Sequence, residues 1–333
     1  MHENRRDFIQ LLTATGMAGV AGFASSPARA EPPPETRRIR IGRIANNCYA
    51  PQYLAEDLLR GEGFSELQYI QTPGSGPLYV ALAMGEVDLS MAFSAGFVIK
   101  ADAGAPIVML AGIHPGCQEV VASDRIRTVR DLKSKSVAVS ALNNAEHGFL
   151  ASIIGHVGLD PRRDIDWVVV KRDELIGQLT EGKVDATILS PPNSYEWRTK
   201  QVGHVILNMT TDRPWSQYFC CVLTGNREFI RNNPVATKRA MRAILKGANL
   251  CASVEASATQ LLGRGFHKDR DITLQMLRDL PYARWRDYDA EDTIRYYALR
   301  LHEAGLIKSR PNKILAESTD FRFLEELKRE LKT

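Results

Sequence analysis

Short apolar runs alternate with segments of helical apolar spacing along the first part of the chain. Continuous apolar runs are typical of strands buried in a parallel sheet, and apolar residues three or four apart are typical of helices. The predicted strands are 39–45, 67–71, 87–93 and 106–113, and the predicted helices are 51–60, 76–84 and 96–103. This alternating order predicts an α/β sheet with helices on both faces.

The same alternation starts again further along the chain. Here the predicted strands are 136–140, 165–170 and 184–190, and the predicted helices are 145–157 and 173–180. Extended segments at 120–123 and 218–223 flank this second series and are candidates for two crossings between lobes. The predicted fold class is therefore α/β, with two doubly wound α/β lobes joined by two crossing strands.

After Asn226 the apolar spacing is helical almost to the end of the chain. The predicted helices are 234–262, 271–280, 290–304 and 321–331. Such helices cannot bury their apolar faces alone, so we expect them to pack mainly on the first lobe.

One internal echo supports two similar units. Leu82 to Asp88 reads L-x-x-G-x-V-D, and Leu179 to Asp185 repeats the same pattern. In both, a predicted helix ends at a glycine, and the predicted buried strand that follows begins at Val-Asp. Such junctions are common, so the echo supports the division without proving it.

The first thirty residues have the character of an export signal. Arg5 and Arg6 precede a weakly hydrophobic stretch at 11–24, and Ala28-Arg29-Ala30 has the small-x-small form of a cleavage site. This resembles a twin-arginine signal, which predicts export of the chain to the periplasm after removal of 1–30, with 31–38 as a leader. The alternative is an amphipathic helix with incidental arginines. The stretch is too short and interrupted to span a membrane, so no direct membrane anchor is expected.

Composition and charge exclude several classes of protein. Hydrophobic residues make up 44% and charged residues 25% of the 333 positions, which excludes a disordered or coiled-coil chain. A net charge of +4 is too small to indicate nucleic-acid binding. The five cysteines are Cys48, Cys117, Cys220, Cys221 and Cys251. Their spacing matches no metal motif, so we expect buried thiols and no metal or cofactor, with the adjacent Cys220 and Cys221 on opposite faces of a strand.

Several loose motifs, taken in order, resemble one family. They are Pro51-x-Tyr53-x-Ala55, Gly74-Ser75-Gly76, Ala81-Leu82-x-x-Gly85-x-Val87-Asp88, Thr128-x-x-Asp131-Leu132-Lys133 and Gly158-Leu159-Asp160. From about Ile39 to Asn232 the chain resembles periplasmic substrate-binding proteins of ABC importers for nitrate, sulfonates, taurine and thiamine precursors. The resemblance implies a type II periplasmic-binding fold, with lobe 1 at 39–119 and 222–333 and lobe 2 at 120–221. It also implies a monomer that closes on a small-molecule ligand and delivers it to an ABC permease with its ATPase.

The candidate ligand site lies beyond the carboxyl ends of the strands, where doubly wound sheets bind ligands. The loops there are rich in Asn, Ser, Gly and Tyr and poor in charge, which suits an anion held by helix N-termini without a formal cation. The candidate ligand-binding residues are Asn46, Asn47, Tyr49, Gly74, Ser75, Ser94, His114, Ser140, Asn143, Asn144, His147, Ser190, Tyr195, Trp215 and Tyr218.

Among these candidates, Ser94, Ser140 and Asn144 are expected to donate hydrogen bonds to ligand oxygens, although such residues also cap helices. The aromatic candidates favour a ring-bearing or planar ligand if they form the walls of the cleft, although such residues also pack in cores. His114 and His147 are interpreted as hydrogen-bonded residues rather than metal ligands. Ligand identity, whether sulfonate, carboxylate or thiamine precursor, stays open.

Enzyme signatures are missing from the sequence. There is no phosphate-binding loop, no G-x-S-x-G elbow and no H-E-x-x-H, so we expect a binding protein with no catalytic residues. The basic pairs Lys171-Arg172 and Lys238-Arg239 are interpreted as solvated surface. Two alternatives remain: an enzyme on the same fold resembling the fungal thiamine-pyrimidine synthases, and a periplasmic sensor. The export signal and the absence of a cysteine-rich motif disfavour the enzyme.

Overall fold

The two series of strands form two separate five-stranded sheets. The computed structural model describes residues 31–44 and 47–332, so the predicted signal segment and the candidate Asn46 lie outside the described residues. The strands are β1 (Arg38–Arg43), β2 (Glu66–Gln71), β3 (Leu89–Phe93), β4 (Ile107–Pro115), β5 (Glu119–Ala122), β6 (Lys135–Val139), β7 (Ile165–Val169), β8 (Ala186–Leu189), β9 (His204–Asn208) and β10 (Phe219–Asn226). The first sheet has the order β2-β1-β3-β10-β4 and the second the order β7-β6-β8-β5-β9.

Helices cover these sheets and continue to the end of the chain. They are α1 (Ala50–Leu54), α2 (Glu56–Gly61), α3 (Ser75–Ala83), α4 (Ser94–Asp102), α5 (Ala145–His156), α6 (Leu175–Thr180), α7 (Asn193–Arg198), α8 (Arg227–Asn232), α9 (Pro234–Leu250), α10 (Val254–Gly263), α11 (Arg270–Asp279), α12 (Ala290–Glu303), α13 (Pro311–Ser318) and α14 (Arg322–Glu330). Short 3₁₀ turns lie at Asn47–Tyr49, Val129–Leu132, Arg172–Glu174, Trp215–Gln217 and Tyr282–Arg284. The two α/β lobes predicted from the alternation are thereby confirmed.

Each predicted crossing segment is a strand in the lobe that it enters. β5 pairs antiparallel with β8 and β9 in the second sheet. β10 returns to the first sheet and pairs antiparallel with β3 and β4. The chain therefore passes between the sheets at 116–118 and at 209–218. Because the crossing strands run against their neighbours, both sheets are mixed.

β9 and three short helices were not predicted from the apolar pattern. β9 (His204–Asn208) contains an apolar run of only three residues, Val205-Ile206-Leu207, and it is partly buried at four of its five residues. The short α7, α8 and α13 were likewise not predicted. The predicted helix 234–262 is two helices, α9 and α10, with a break at 251–253.

The C-terminal helices pack mainly on the first lobe, as expected. α9 packs against α1 and α2 with one face formed by Ala240, Met241, Ile244 and Leu245, all fully buried. α12 packs against α4 of the first lobe and α5 of the second, so it also bridges the two lobes. An amphipathic helix is stabilised by this kind of tertiary contact rather than by its own propensity.

The internal echo has a structural explanation at its two aspartates. Asp88 lies just before β3 and accepts hydrogen bonds from the backbone N–H of Arg40 in β1, at 2.7 Å, and from its guanidinium. Asp185 lies just before β8 and accepts from the backbone N–H and hydroxyl of Ser136 in β6, both at 3.0 Å. In each lobe, the aspartate ties the central strand to its neighbour.

We expect Asp185→Asn to destabilise the protein most at neutral pH. Burial raises the pKa of Asp185, but the hydrogen bonds from Ser136 and Arg125 lower it by a larger amount. The net pKa therefore lies below the usual value. A lowered pKa stabilises the fold above the unfolded-state value, near 4, and this contribution is lost as pH falls through the folded-state pKa. The free energy of unfolding should drop by about 1–3 kcal/mol at pH 7.

Urea unfolding at pH 7 and pH 3 measures this effect. The loss caused by Asp185→Asn should be smaller at pH 3, whereas Asp124→Asn, at a side chain that is 84% exposed, should cost less than about 0.5 kcal/mol at either pH. An equal loss at both pH values would contradict a role for the carboxylate charge.

Candidate functional site

A small cavity lies between the two lobes at the carboxyl ends of their strands. Its volume is about 70 Å³, more than one water molecule needs. The first lobe contributes Ile44, Tyr49, Pro73, Gly74, Ser75 and Phe93, and the second contributes Arg172, Ser190, Pro191, Pro192 and Asn193. Four predicted ligand residues, Tyr49, Gly74, Ser75 and Ser190, are thus brought to one place from distant parts of the sequence. We call this the interlobe cavity.

The start of α3 faces the interlobe cavity from the first lobe. Gly74 precedes the helix in extended conformation, and no side chain caps the helix at this end. No described atom lies within 4 Å of where a Cβ of Gly74 would be, so the backbone can be approached closely. Uncapped N–H groups at a helix start carry partial positive charge and suit an anion.

Arg172 brings a formal positive charge to the interlobe cavity from the second lobe. It lies in the 3₁₀ turn after β7, and its Nη2 is 2.5 Å from Oε1 of Glu146. Its side chain is 40% exposed, so the ion pair does not bury it completely. Arg172 therefore lines the interlobe cavity and is not simply solvated surface, whereas the expectation of a ligand site without a formal cation stays a prediction. Its position just beyond the end of β7 is the signal that could have identified it.

Glu146, the ion-pair partner of Arg172, accepts hydrogen bonds from two predicted ligand residues. Its Oε2 accepts hydrogen bonds from the hydroxyl of Ser140 at 3.1 Å and the side-chain amide of Asn144 at 2.6 Å. Asn144 also caps α5, since its Oδ1 accepts from the backbone N–H of His147 at 2.8 Å. Ser140 and Asn144 thus orient the ion pair and do not line the cavity.

Ser94 is also engaged within the protein. It is fully buried, and its hydroxyl donates to the carbonyl oxygen of Phe219 at 3.0 Å. This bond joins the start of α4 to the return strand β10. The structure therefore gives no support for Ser94, Ser140 or Asn144 as direct ligand donors, although it places Ser140 and Asn144 one contact from Arg172.

Asn143 and His147 complete the turn before α5. The backbone N–H of Asn143 donates to Nδ1 of His147 at 3.1 Å, and the ring of His147 packs edge-on against Trp167. Burial lowers the pKa of His147 to about 4, so its ring is neutral at neutral pH. His147 is a hydrogen-bonded, packed residue, as expected.

The remaining candidates lie away from the interlobe cavity. The hydroxyl of Tyr195 donates to Asp279 at 3.1 Å and borders a separate cavity of about 270 Å³. Tyr218 stacks on Tyr296 with ring centroids 3.8 Å apart. Trp215 is buried against His156. Asn47 begins the 3₁₀ turn before α1, and its side chain is not among those described.

His114 lies in a cluster of cysteines that spacing did not indicate. All five cysteines are buried, as expected, and none forms a disulfide. Cys220 and Cys221 do not diverge to opposite faces as predicted, because the β10–β4 ladder is irregular on both sides of Cys221. The sulfurs of both approach that of Cys117, at 2.8 Å for Cys220 and within 4.8 Å for Cys221.

A comparison with protein families places the chain in one family. The model of the NMT1-like family matches residues 32–262, more than half of the chain. The chain belongs to the NMT1-like family. The match covers both lobes of this NMT1-like protein and ends within α10. The sequence has no significant match among curated proteins.

Solved structures confirm that this NMT1-like protein has the fold of periplasmic binding proteins. The alkanesulfonate-binding protein SsuA from Xanthomonas axonopodis pv. citri, bound to MOPS, is 19% identical with a TM-score of 0.69, covering 83% of this chain and 96% of its own. The nitrate-binding protein NrtA from Synechocystis PCC 6803 is 15% identical with a TM-score of 0.75, covering 90% of each chain.

A third similar structure is a ligand-binding component of an ABC-type import system from Staphylococcus aureus with zinc bound. It is 14% identical with a TM-score of 0.71, covering 88% of this NMT1-like protein and 100% of its own chain. At these identities the likeness establishes the fold. Within the described residues, no helix combines the length and apolar character that a membrane crossing requires.

The lowered pKa of His147 predicts a loss of stability in mild acid. The unfolded chain takes up a proton at this ring near pH 6.5, whereas the folded protein does so only near pH 4. Stability therefore falls as pH drops from 6.5 to 4. Between pH 7 and pH 5, wild type should lose about 2 kcal/mol more than His147→Gln.

Urea unfolding at the two pH values tests this expectation. The histidine ring resonance that disappears in His147→Gln should titrate near pH 4 in the wild-type NMR spectrum. A titration of that resonance near 6.5, or equal pH dependence of the two proteins, would contradict it.

Proposed function

We propose that this NMT1-like protein is the periplasmic solute-binding component of an ABC importer. It captures a small organic anion or heteroaromatic solute between its lobes and delivers it to a permease with its ATPase. The observation that carries this proposal is the interlobe cavity, where the start of α3 and Arg172 bring positive charge from opposite lobes. An anion between the start of α3 and the Arg172 guanidinium would be attracted to both lobes, so an anion favours closure.

The residues around the cavity favour an organic anion over a bare inorganic ion. A guanidinium presents planar paired donors that fit a carboxylate or sulfonate. Tyr49 and Phe93 add aromatic surface, with ring centroids 6.5 Å apart in an edge-to-face arrangement. The hydroxyl of Tyr49 is buried and has no hydrogen-bond partner among the described residues, so a ligand oxygen would satisfy it.

Closure follows from the way the chain connects the lobes. We place lobe 1 at 39–119 and 222–333 and lobe 2 at 120–221, with the hinge in the two segments between the sheets. A ligand that contacts Gly74 and Ser75 in one lobe and Arg172 and Ser190 in the other holds the closed form. A permease can then distinguish loaded from empty protein by the relative positions of the lobes.

The comparisons support the anion class and the compartment. SsuA and NrtA bind an alkanesulfonate and nitrate, both anions, on the same fold. Residues 1–30 supply the twin-arginine export signal in this proposal, and the protein acts as a periplasmic monomer. The ligand classes that fit are sulfonates, carboxylates and thiamine-precursor pyrimidines.

A thermal-shift screen of the full-length chain tests the proposal. Taurine, alkyl and aryl sulfonates, aromatic carboxylates, nitrate and thiamine-precursor pyrimidines form the panel. A ligand at about 100 times its Kd stabilises the folded state by roughly 2.7 kcal/mol, a shift of a few degrees. A ligand recovered unchanged supports binding, a ligand that is consumed favours the enzyme alternative, and silence across the panel contradicts the proposed ligand classes.

Arg172→Gln should weaken binding of the ligand found in that screen by about 10- to 100-fold, since a charge-assisted hydrogen bond contributes roughly 1.5–3 kcal/mol. Isothermal titration calorimetry measures the change. Lys171→Gln is the matched control, because the neighbouring Lys171 is 80% exposed and does not line the cavity; its affinity should stay within about twofold of wild type. If a folded Arg172→Gln protein bound the ligand with unchanged affinity, the guanidinium would not be part of the ligand site.

A further inference from the structure

Four potential metal ligands converge in the first lobe, and none of them is among the residues that line the interlobe cavity. They are Cys48, His114, Cys117 and Cys221, and their ligand atoms all lie within 4.8 Å of one another. Each of the four is at most 3% exposed. The adjacent Cys220 brings a further sulfur to 2.8 Å from that of Cys117. A group of thiols and an imidazole this close and this buried differs from the isolated buried cysteine that apolar packing explains.

The fold brings these four residues together from three stretches of the chain, since His114 and Cys117 are only three residues apart. Cys48 is in the 3₁₀ turn before α1, and His114 is the penultimate residue of β4. Cys117 is in the first crossing segment, and Cys221 is on the return strand β10. His114 and Cys221 are direct partners in the antiparallel β4–β10 ladder, so the backbone fixes their separation.

We propose that Cys48, His114, Cys117 and Cys221 bind a thiophilic metal ion of the Zn²⁺ class. Three thiolates and one imidazole form the Cys₃His set found at tetrahedral structural zinc sites. Zn²⁺ suits this mixture of sulfur and nitrogen, whereas Ca²⁺ and Mg²⁺ require oxygen ligands that the cluster lacks. Four protein ligands leave no open position, so the site is structural and not catalytic.

The separations are compatible with coordination after a small contraction. Zn–S bonds of about 2.3 Å in a tetrahedron place the sulfurs about 3.8 Å apart. Starting from separations of at most 4.8 Å, each ligand atom needs to move inward by about 0.6 Å at most. Side-chain rotation of three cysteines can supply a movement of this size.

The surroundings of His114 support a role as a ligand. Its two ring nitrogens each lie 3.1 Å from a carbonyl oxygen, that of Pro115 for Nδ1 and that of Cys48 for Nε2. Each ring nitrogen has a single N–H or lone-pair direction in the ring plane, so coordination would replace one of these two contacts. The other nitrogen would keep its backbone carbonyl, the usual outer-shell partner of a metal-binding histidine. Tyr282 packs edge-on against the ring and closes this side.

Cobalt substitution tests the site directly in the full-length chain. The protein is purified under reducing conditions, stripped with a chelator and titrated with Co²⁺ and then Zn²⁺. We expect one equivalent of Co²⁺ with a sulfur-to-cobalt charge-transfer band and tetrahedral d–d bands, displaced by one equivalent of Zn²⁺. Zinc should also raise the unfolding midpoint. Absence of the charge-transfer band in folded wild-type protein would overturn the proposal.

Variants separate this site from a simpler explanation. Cys221→Ser and Cys48→Ser should each weaken metal binding at least tenfold, whereas Cys251→Ser should leave it unchanged. Cys251 is the matched control because it is also fully buried but hydrogen-bonds to the Gly247 carbonyl, outside the cluster. Metal loss in Cys251→Ser equal to that in Cys221→Ser would contradict a local site.

Cys220→Ser distinguishes the metal site from a Cys117–Cys220 disulfide. The metal site predicts that this variant still binds one Co²⁺, since Cys220 is not among the four ligands. If instead the purified wild type carries a Cys117–Cys220 disulfide, two mass units lighter than the dithiol, and binds no metal after reduction, the proposal is wrong. Both measurements are independent of whether Cys221→Ser folds.

Discussion

The return strand β10 is the element on which both candidate sites depend. It enters the first sheet between β3 and β4 and makes antiparallel hydrogen bonds to each, so without it the sheet would be split in two. The carbonyl oxygen of its first residue, Phe219, accepts a hydrogen bond from the hydroxyl of Ser94 at the start of α4. Its third residue, Cys221, pairs with Phe93 in β3 and with His114 in β4. The interlobe cavity and the cysteine cluster thus share one backbone support.

The charge in the interlobe cavity depends on a second chain of contacts, confined to the second lobe. Ser140 and Asn144 hold the buried Glu146, and Glu146 holds Arg172. A carboxylate buried with no partner is costly, so this network keeps Glu146 satisfied while fixing the direction of the guanidinium. In the proposed function, the polar loop before α5 would act on a ligand through Arg172.

The apolar pattern predicted the parts of the fold that are stabilised by burial. The strands of the two parallel series are apolar runs or alternate apolar and polar residues, and all were found within a few residues of their predicted limits. β9 was missed because its apolar run, Val205-Ile206-Leu207, is only three residues long, and the strand lies at the edge of the second sheet. The site was predicted less fully, because Arg172 looks like any surface arginine until the turn that carries it is placed opposite the start of α3.

The cysteine cluster shows the limit of spacing arguments more clearly. Metal motifs in sequence describe ligands on one turn or one pair of strands, whereas Cys48 and His114 are 66 residues apart and join only through the fold. Cys48 is followed by Tyr49, so one 3₁₀ turn carries both a ligand of the proposed metal and a wall of the interlobe cavity. Cys117 lies in the segment through which the lobes are connected. A metal held by both would fix the cavity wall to one side of the hinge, and closure would then be a movement of the second lobe against a rigid base. Assembly of that centre requires a folded chain, since its ligands are adjacent only in the native structure. A route that exports proteins already folded would allow the metal to be bound before export.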